Sequence, residues 1–176
     1  MPVFRRLQPV VCPIVCGYRG GSPSTIARFV VQQHDATTLH FDLRLEMGGV
    51  LRSWAVPKGP SLDPAERRLA VPVEDHSMEA GEFEGVHEGA RRGTGAVIIW
   101  DEGTAEIEQE GSRHLAVTLR GAKLNGRFGL TRTGERSWIL VKASDEHAQP
   151  GSDIVAEQPR SVRSGRDIWD VAKSSR

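Results

Sequence analysis

His34, His40, Asp42 and Arg44 crowd into the run "HDATTLHFDLRLE", and side chains of these types at this spacing can hold a metal ion beside an anion. From Leu39 to Glu46 the residues alternate without a break: Leu39, Phe41, Leu43 and Leu45 are apolar, whereas His40, Asp42, Arg44 and Glu46 are polar. A strand sends successive side chains to opposite faces, so one face is an apolar strip and the other aligns an imidazole, a carboxylate and a guanidinium. Residues two apart on one face are separated by roughly 6.6–6.8 Å at Cα, which lets His40 and Asp42 lean onto one cation. His34 lies six residues before His40, just ahead of the polar "DATT" stretch. If the chain folds back there, its ring completes a His–His–carboxylate set, which leaves positions open for water and substrate on manganese, iron or zinc. Arg44 suits a substrate that brings negative charge, because a guanidinium forks onto two phosphate oxygens. The plain alternative is a wet sheet face with an Arg44–Asp42 or Arg44–Glu46 surface pair, worth little in energy.

Two further groups carry the same chemistry. In "VEDHS" (73–77), Glu74, Asp75 and His76 end a strand. A histidine there can act as a general acid or a hydrogen-bond donor to a transition state, and a neighbouring carboxylate would keep it protonated to higher pH. In "WAVPKGPSLDPAERRLAV", Lys58, Arg67 and Arg68 bracket a loop and could contact phosphates. Each residue alone also reads as a solvated basic side chain.

The elements that must position these residues are strands. "RFVVQQH" (28–34), "TLHFDLRLEM" (38–47) and "VLRSWAV" (50–56) follow one another, with Gly48-Gly49 as a tight-turn signal between the last two. The loop 57–68 holds three prolines, with one helical turn expected after Asp63-Pro64. Further strands are expected at 69–75, 81–86, 96–101, 104–110, 114–121, 126–133 and 137–143. Short strands in this number, separated by turn residues, predict a mainly β protein: a compact antiparallel β-barrel with short helical segments and irregular N- and C-terminal arms. The division expected is an irregular arm over 1–27, the barrel domain over 28–148 and a polar tail over 149–176. That tail is expected to bury little and pack loosely, with a short helix at 166–175.

Composition narrows the classes. At 176 residues, with 38% hydrophobic and 26% charged residues, the chain suits one soluble globular domain. No apolar run approaches the roughly 18–20 residues that cross a bilayer, so no membrane is expected and the cytoplasm is the expected compartment. Cys12 and Cys16, spaced C-x3-C, lack the second pair that a four-ligand zinc site needs. Net charge is zero but segregated: residues 74–110 carry eleven acidic and two basic residues, and 113–142 carry seven basic and one acidic. This segregation fits either a basic face for a phosphate backbone or mixed solvated hairpins.

The run "FVVQQHDATTLHFDLRLEMGGVLRSWAVPKGPSLDPAERRLAVPVEDH" resembles the 3′-phosphoesterase domain of bacterial DNA ligase D. The similarity continues through "GAVIIWDEG", "LRGAKLNGRFGLTRT" and "WILVKASDEHA", over about residues 28–148. The resemblance implies a β-barrel that cleans 3′ ends of DNA or DNA/RNA strands in non-homologous end joining. Such enzymes use Mn2+, with Zn2+ or Co2+ as other candidates, to remove a 3′-ribonucleoside and then the 3′-phosphate. It implies His34, His40 and Asp42 as metal ligands and His76, Arg44 and Glu74 as catalytic residues. Arg44, His76, Lys58, Arg68 and Gln32 would hold the substrate phosphate. The metal and Arg44 would neutralise phosphate oxygens as charge builds, and His76 would stabilise the transition state or assist the leaving oxygen. Implied partners are DNA ends, a DNA ligase and other end-joining proteins, for a monomer associated with the nucleoid.

The chain also departs from that family. A tyrosine expected four residues beyond the "EDH" histidine is Ala80, and the stretch 88–95 reads "EGARRGTG" without a tyrosine. The N-terminal arm has no acidic residue before Asp35. These departures motivate an alternative, a catalytically weakened member that binds nucleic-acid ends or a repair partner. A third class is a metal-binding barrel acting on a small phosphorylated or carboxylated metabolite.

Overall fold

The computed structural model describes residues 24–87 and 95–174. Nine strands run in chain order: β1 (Thr25–Asp35), β2 (Leu39–Met47), β3 (Val50–Val56), β4 (Arg68–Pro72), β5 (Gly85–His87), β6 (Gly95–Glu110), β7 (His114–Gly121), β8 (Asn125–Arg132) and β9 (Trp138–Lys142). All pair antiparallel in the order β1-β2-β3-β4-β9-β8-β7-β6, and β6 returns to β1, so eight strands close a barrel. The short β5 hangs on the outer side of β6. Two short helices follow, α1 (Ile154–Glu157) and α2 (Ile168–Lys173). The mainly β barrel expected from the strand pattern is therefore the observed architecture.

Alternation along the strands builds the interior. Phe29 and Val31 on β1, Phe41, Leu43 and Leu45 on β2, and Trp54 and Val56 on β3 point inward. They meet Leu115, Val117 and Leu119 of β7, Phe128 and Leu130 of β8, and Trp138 and Leu140 of β9. Burying side chains of this size contributes about 1.5–3 kcal/mol each, which is what closes the sheet. Between β2 and β3, Gly48 and Gly49 both adopt positive φ (64° and 83°), as a two-residue hairpin turn demands.

Several elements differ from the sequence expectation. The strands expected at 96–101 and 104–110 are one continuous β6, bent where the register with β1 shifts between Val31 and Gln32. Gly103, which reads as a turn residue, instead lies where β6 meets β7; a Cβ there would sit 2.0 Å from the Arg120 carbonyl oxygen. The strand expected at 81–86 resolves into a 3-10 turn (Met78–Glu82) followed by β5. After Asp63-Pro64 there is a tight turn rather than a helical one, closed by Asp63 accepting the Ala65 and Glu66 amides at 2.9 and 3.1 Å.

The C-terminal segment does not pack loosely. Ile154 enters the barrel core, and Ile168 and Val171 of α2 form a second, outer core with Ala96 and Ile98 of β6. The Trp100 indole donates to the Gln158 carbonyl at 2.8 Å, and the Lys123 ammonium reaches Gln158 and Arg160 carbonyls at 2.9 and 2.5 Å. A polar composition hid this docking because few apolar anchors, placed at the right points, secure the segment. Cys12, Cys16, Arg91 and Arg92 lie outside the described residues.

Candidate metal centre and phosphate site

The β1–β2 hairpin folds back at residues 36–38, and its register sets His34 directly opposite His40 and Gln32 opposite Asp42. The outward face of these strands is not wet. Gln32, His34, Asp42 and Arg44 are all buried, and His40 is half-buried. The segment after β4 covers this face: His76 bridges Leu51 of β3 through paired backbone bonds of 2.8 and 3.0 Å, and the 3-10 turn follows directly.

His34, His40 and Asp42 each present one ligand atom, and these atoms lie within 4.8 Å of one another. The two rings stand 5.0 Å apart, tilted by 55°. His40 Nδ1 lies 2.9 Å from the Thr38 carbonyl oxygen. A carbonyl can only accept, so Nδ1 carries a proton; Nε2, 3.5 Å from Asp42 Oδ1, donates to that carboxylate in the charged ring and has its lone pair for a metal in the neutral ring. A backbone carbonyl holding the far nitrogen is the usual way a metal-ligating histidine is oriented. The donor set, two imidazoles and a carboxylate, therefore fits a divalent transition metal.

The charges are set by neighbours. Hydrogen bonding to Asp42 raises the His40 pKa above its ordinary value, against burial, with the Thr38 carbonyl adding to the rise. Burial alone would raise Asp42, but the His40 hydrogen bond, the Arg44 guanidinium and His34 hold its carboxyl below the usual range. Asp42 is therefore an anion at neutral pH, as a metal ligand must be.

Arg44 is fixed on three sides. Nε donates to Gln32 Oε1 at 2.7 Å, Nη1 to Ser53 Oγ at 2.9 Å and Nη2 to Asp42 Oδ2 at 3.0 Å. Gln32 is held in turn, its amide donating to the Ala80 and Phe83 carbonyls at 2.9 Å each. Ser53 and these two carbonyls were not among the sequence candidates. Ser53 was legible in principle, as the polar residue on the outward side of "VLRSWAV". The carbonyls had no signal, because a backbone acceptor carries no residue identity.

His76 stands close enough to feel Arg44 and Asp42, and it is half-buried. The expectation that a carboxylate keeps it protonated is corrected. Burial and then the Arg44 charge lower its pKa, outweighing the Glu74 backbone and the Asp42 and Glu74 carboxylates. Glu74 beside it is exposed. Lys58 is exposed in the loop after β3. Arg68 shares the inward face of β4 with buried Ala70 and pairs with Glu66 of the preceding loop at 3.5 Å. The fold thus brings together Gln32, His34, His40, Asp42 and Arg44, sets His76 beside them, and leaves Lys58 and Arg68 outside this cluster of contacts.

A family model described as the DNA Ligase D 3'-phosphoesterase domain matches residues 32–132. The chain is 47% identical over 154 residues to the "Multifunctional non-homologous end joining protein LigD" of Pseudomonas aeruginosa, covering 81% of this chain and 18% of that protein. It is 39% identical over 135 residues to the protein of the same name from Mycolicibacterium smegmatis, covering 70% of this chain and 18% of the relative. With the "Multifunctional non-homologous end joining DNA repair protein LigD" of Mycobacterium tuberculosis the identity is 38% over 125 residues, covering 69% and 16%. The chain thus spans less than a fifth of the length of these relatives.

Proposed function

Since this chain belongs to the DNA ligase D 3′-phosphoesterase domain family, we propose that it is a divalent-metal-dependent phosphoesterase that processes 3′ ends of DNA or DNA/RNA strands for end joining. The observation that carries the reading is the compact His34–His40–Asp42 donor set with Arg44 locked beside it. A bound divalent ion, with Mn2+ the first candidate, would be held by His34, His40 and Asp42 and would supply Lewis-acid stabilisation of phosphate charge.

The protein groups do the rest. Arg44 presents its remaining N–H donors to phosphate oxygens, in an orientation the fold has already fixed. Because the guanidinium is pre-positioned, little reorganisation accompanies the build-up of charge in the transition state. His76, whose pKa is lowered by burial and the Arg44 charge, would be a hydrogen-bond donor to the phosphate or leaving oxygen. Glu74 lies two residues before His76 and is exposed, and Lys58 and Arg68 would give supporting phosphate contacts.

Mn2+-stimulated release of phosphate from a 3′-phosphorylated oligonucleotide, or of a nucleoside from a 3′-ribonucleotide end, tests the reading. Activity is expected with the wild type and lost with His40→Ala or Asp42→Ala. Absence of both activities with folded, Mn2+-loaded protein overturns it. One observation favours the second reading, a weakened end-binding member: residue 80 meets the site through a backbone carbonyl to Gln32, and an alanine has no hydroxyl to offer. That reading expects salt-sensitive binding of 3′-phosphate ends without turnover.

A further inference from the structure

We infer that Ser161 and Arg163, in the C-terminal segment, are positioning residues for this site, acting through the 78–84 turn and Gln32 on Arg44. They lie beyond the residues that match the family model. The inference rests on the phosphoesterase reading for its kinetic consequence only.

The contacts form an unbroken path. Arg163 Nη1 pairs with Glu82 Oε2 at 2.8 Å, while Nε and Nη2 fork onto Glu102 Oε1 and Oε2 at 2.6 and 2.7 Å. Arg28 of β1 pairs with the same two carboxylates, so Arg28, Glu82, Arg163 and Glu102 close a ring of alternating charge. Two residues on from Glu82, the Glu84 carboxylate accepts the Ser161 hydroxyl at 2.6 Å and the Ile99 amide at 2.9 Å. The backbone of Val162, between the two clamp residues, donates to the Ile99 carbonyl at 3.0 Å. Both carboxylates flanking Phe83 are therefore anchored to one short stretch of the C-terminal segment.

Phe83 is where the path enters the site. Its carbonyl and that of Ala80 take the two Gln32 amide bonds, and Gln32 Oε1 takes Arg44 Nε. Gln32 is only 2% exposed, so water cannot replace a lost carbonyl without cost. If the turn shifts, Gln32 must rotate or leave a buried donor unpaired, and either change moves the guanidinium. Exposed ion pairs contribute little stability singly. What this ring does is hold a turn in register over the site, the supporting role that second-layer contacts play at metal centres.

The test uses the full chain and two readouts. In 1H–15N spectra the Arg44 Nε–H resonance is assigned by its disappearance in Arg44→Lys. Arg163→Ala and Ser161→Ala are expected to shift or broaden it, and Arg120→Ala, which breaks only the exposed pair with Glu106, is expected to leave it in place. With Mn2+ and a 3′-phosphorylated oligonucleotide, Arg163→Ala is expected to lower kcat/KM roughly tenfold, and Arg163→Lys to restore part of the loss. In a Gln32→Ala background, Arg163→Ala is expected to cost nothing more. If Arg163→Ala proves too unstable, Glu82→Gln removes the same charge pair and gives the same readouts. An unmoved Arg44 resonance in these variants, or a loss that simply adds to that of Gln32→Ala, overturns the inference. If the wild type hydrolyses no 3′-phosphate, the functional reading fails, and the spectra alone decide the clamp.

Discussion

At Arg44, three of the five N–H donors of the guanidinium are used by the fold, one each on Gln32, Ser53 and Asp42. One N–H on each terminal nitrogen is left over, and under the proposed function these would meet phosphate oxygens. An ammonium cannot reproduce this arrangement, since a lysine would have to choose between its fold partners and the substrate. Arg44→Lys is therefore expected to lower kcat/KM by about 100-fold, measured by steady-state phosphate release, with the fold retained by circular dichroism. The residue types of this site were legible from alternation in "TLHFDLRLE". Among the supports, Gln32 was legible through the family resemblance alone and as a phosphate contact, its bond to Arg44 depending on strand register, while Phe83 and Ala80 contribute only main-chain oxygen and left no signal.

Among the elements, β8 and β9 show how a charged side chain can lie inside a barrel. Lys142 ends β9 on the inward face beside Phe128 and is fully buried. Its ammonium pairs with Asp145 and donates to the Ala143 carbonyl at 3.1 Å. Asp145 also accepts the Arg127 and His147 amides at 2.7 and 2.9 Å. Burial would raise the Asp145 carboxyl, but Lys142 and these amides bring it down to about 2. Its folded pKa is thus below its ordinary value of 3.8. The stabilisation is therefore fully present above that value and is lost as pH falls toward 2. Asp145→Asn is expected to be less stable than the wild type by about 2 kcal/mol at pH 7 in denaturant unfolding. The gap should narrow between pH 4 and 2 and be nearly closed at its lower end. A gap that is the same at pH 7 and near pH 2 would assign the effect to something other than this charge. The sequence reading placed β9 well but showed only a basic residue at its end, because burial of Lys142 depends on how the barrel closes.

For the whole molecule, the segregated charge and the polar tail both resolve into local structure. The acidic run on β6 meets the basic run on β7 and β8 across the sheet, with Glu106–Arg120 at 3.0 Å and Glu108–Arg127 at 2.7 Å. Part of the apparent dipole is thereby cancelled between neighbouring strands. The tail lays α1 and α2 on the barrel, with Ile154, Ile168 and Val171 buried. Ending the chain after Ala148 would expose those apolar contacts and deprive Trp100 and Lys123 of their carbonyl partners. Such a truncation is expected to cost at least about 3 kcal/mol, read as a fall in Tm of several degrees or more. An unchanged Tm would mean that the docked segment contributes no net stability. Among the described residues no helix is long and apolar enough to cross a membrane.

Local periodicity by itself determined most of the strands, the inward strip and the residue types of the candidate metal and phosphate cluster, because a strand's two faces follow directly from the order of residues along it. Tertiary structure alone decided that the polar face of β2 is buried, that Gly103 marks a close crossing rather than a turn, and that His76 has a lowered pKa. It also decided that a C-terminal segment reaches the site through Glu82 and Glu84. Each of these depends on which distant segment packs over a face, and burial and partner charges come from that packing rather than from neighbours in the chain.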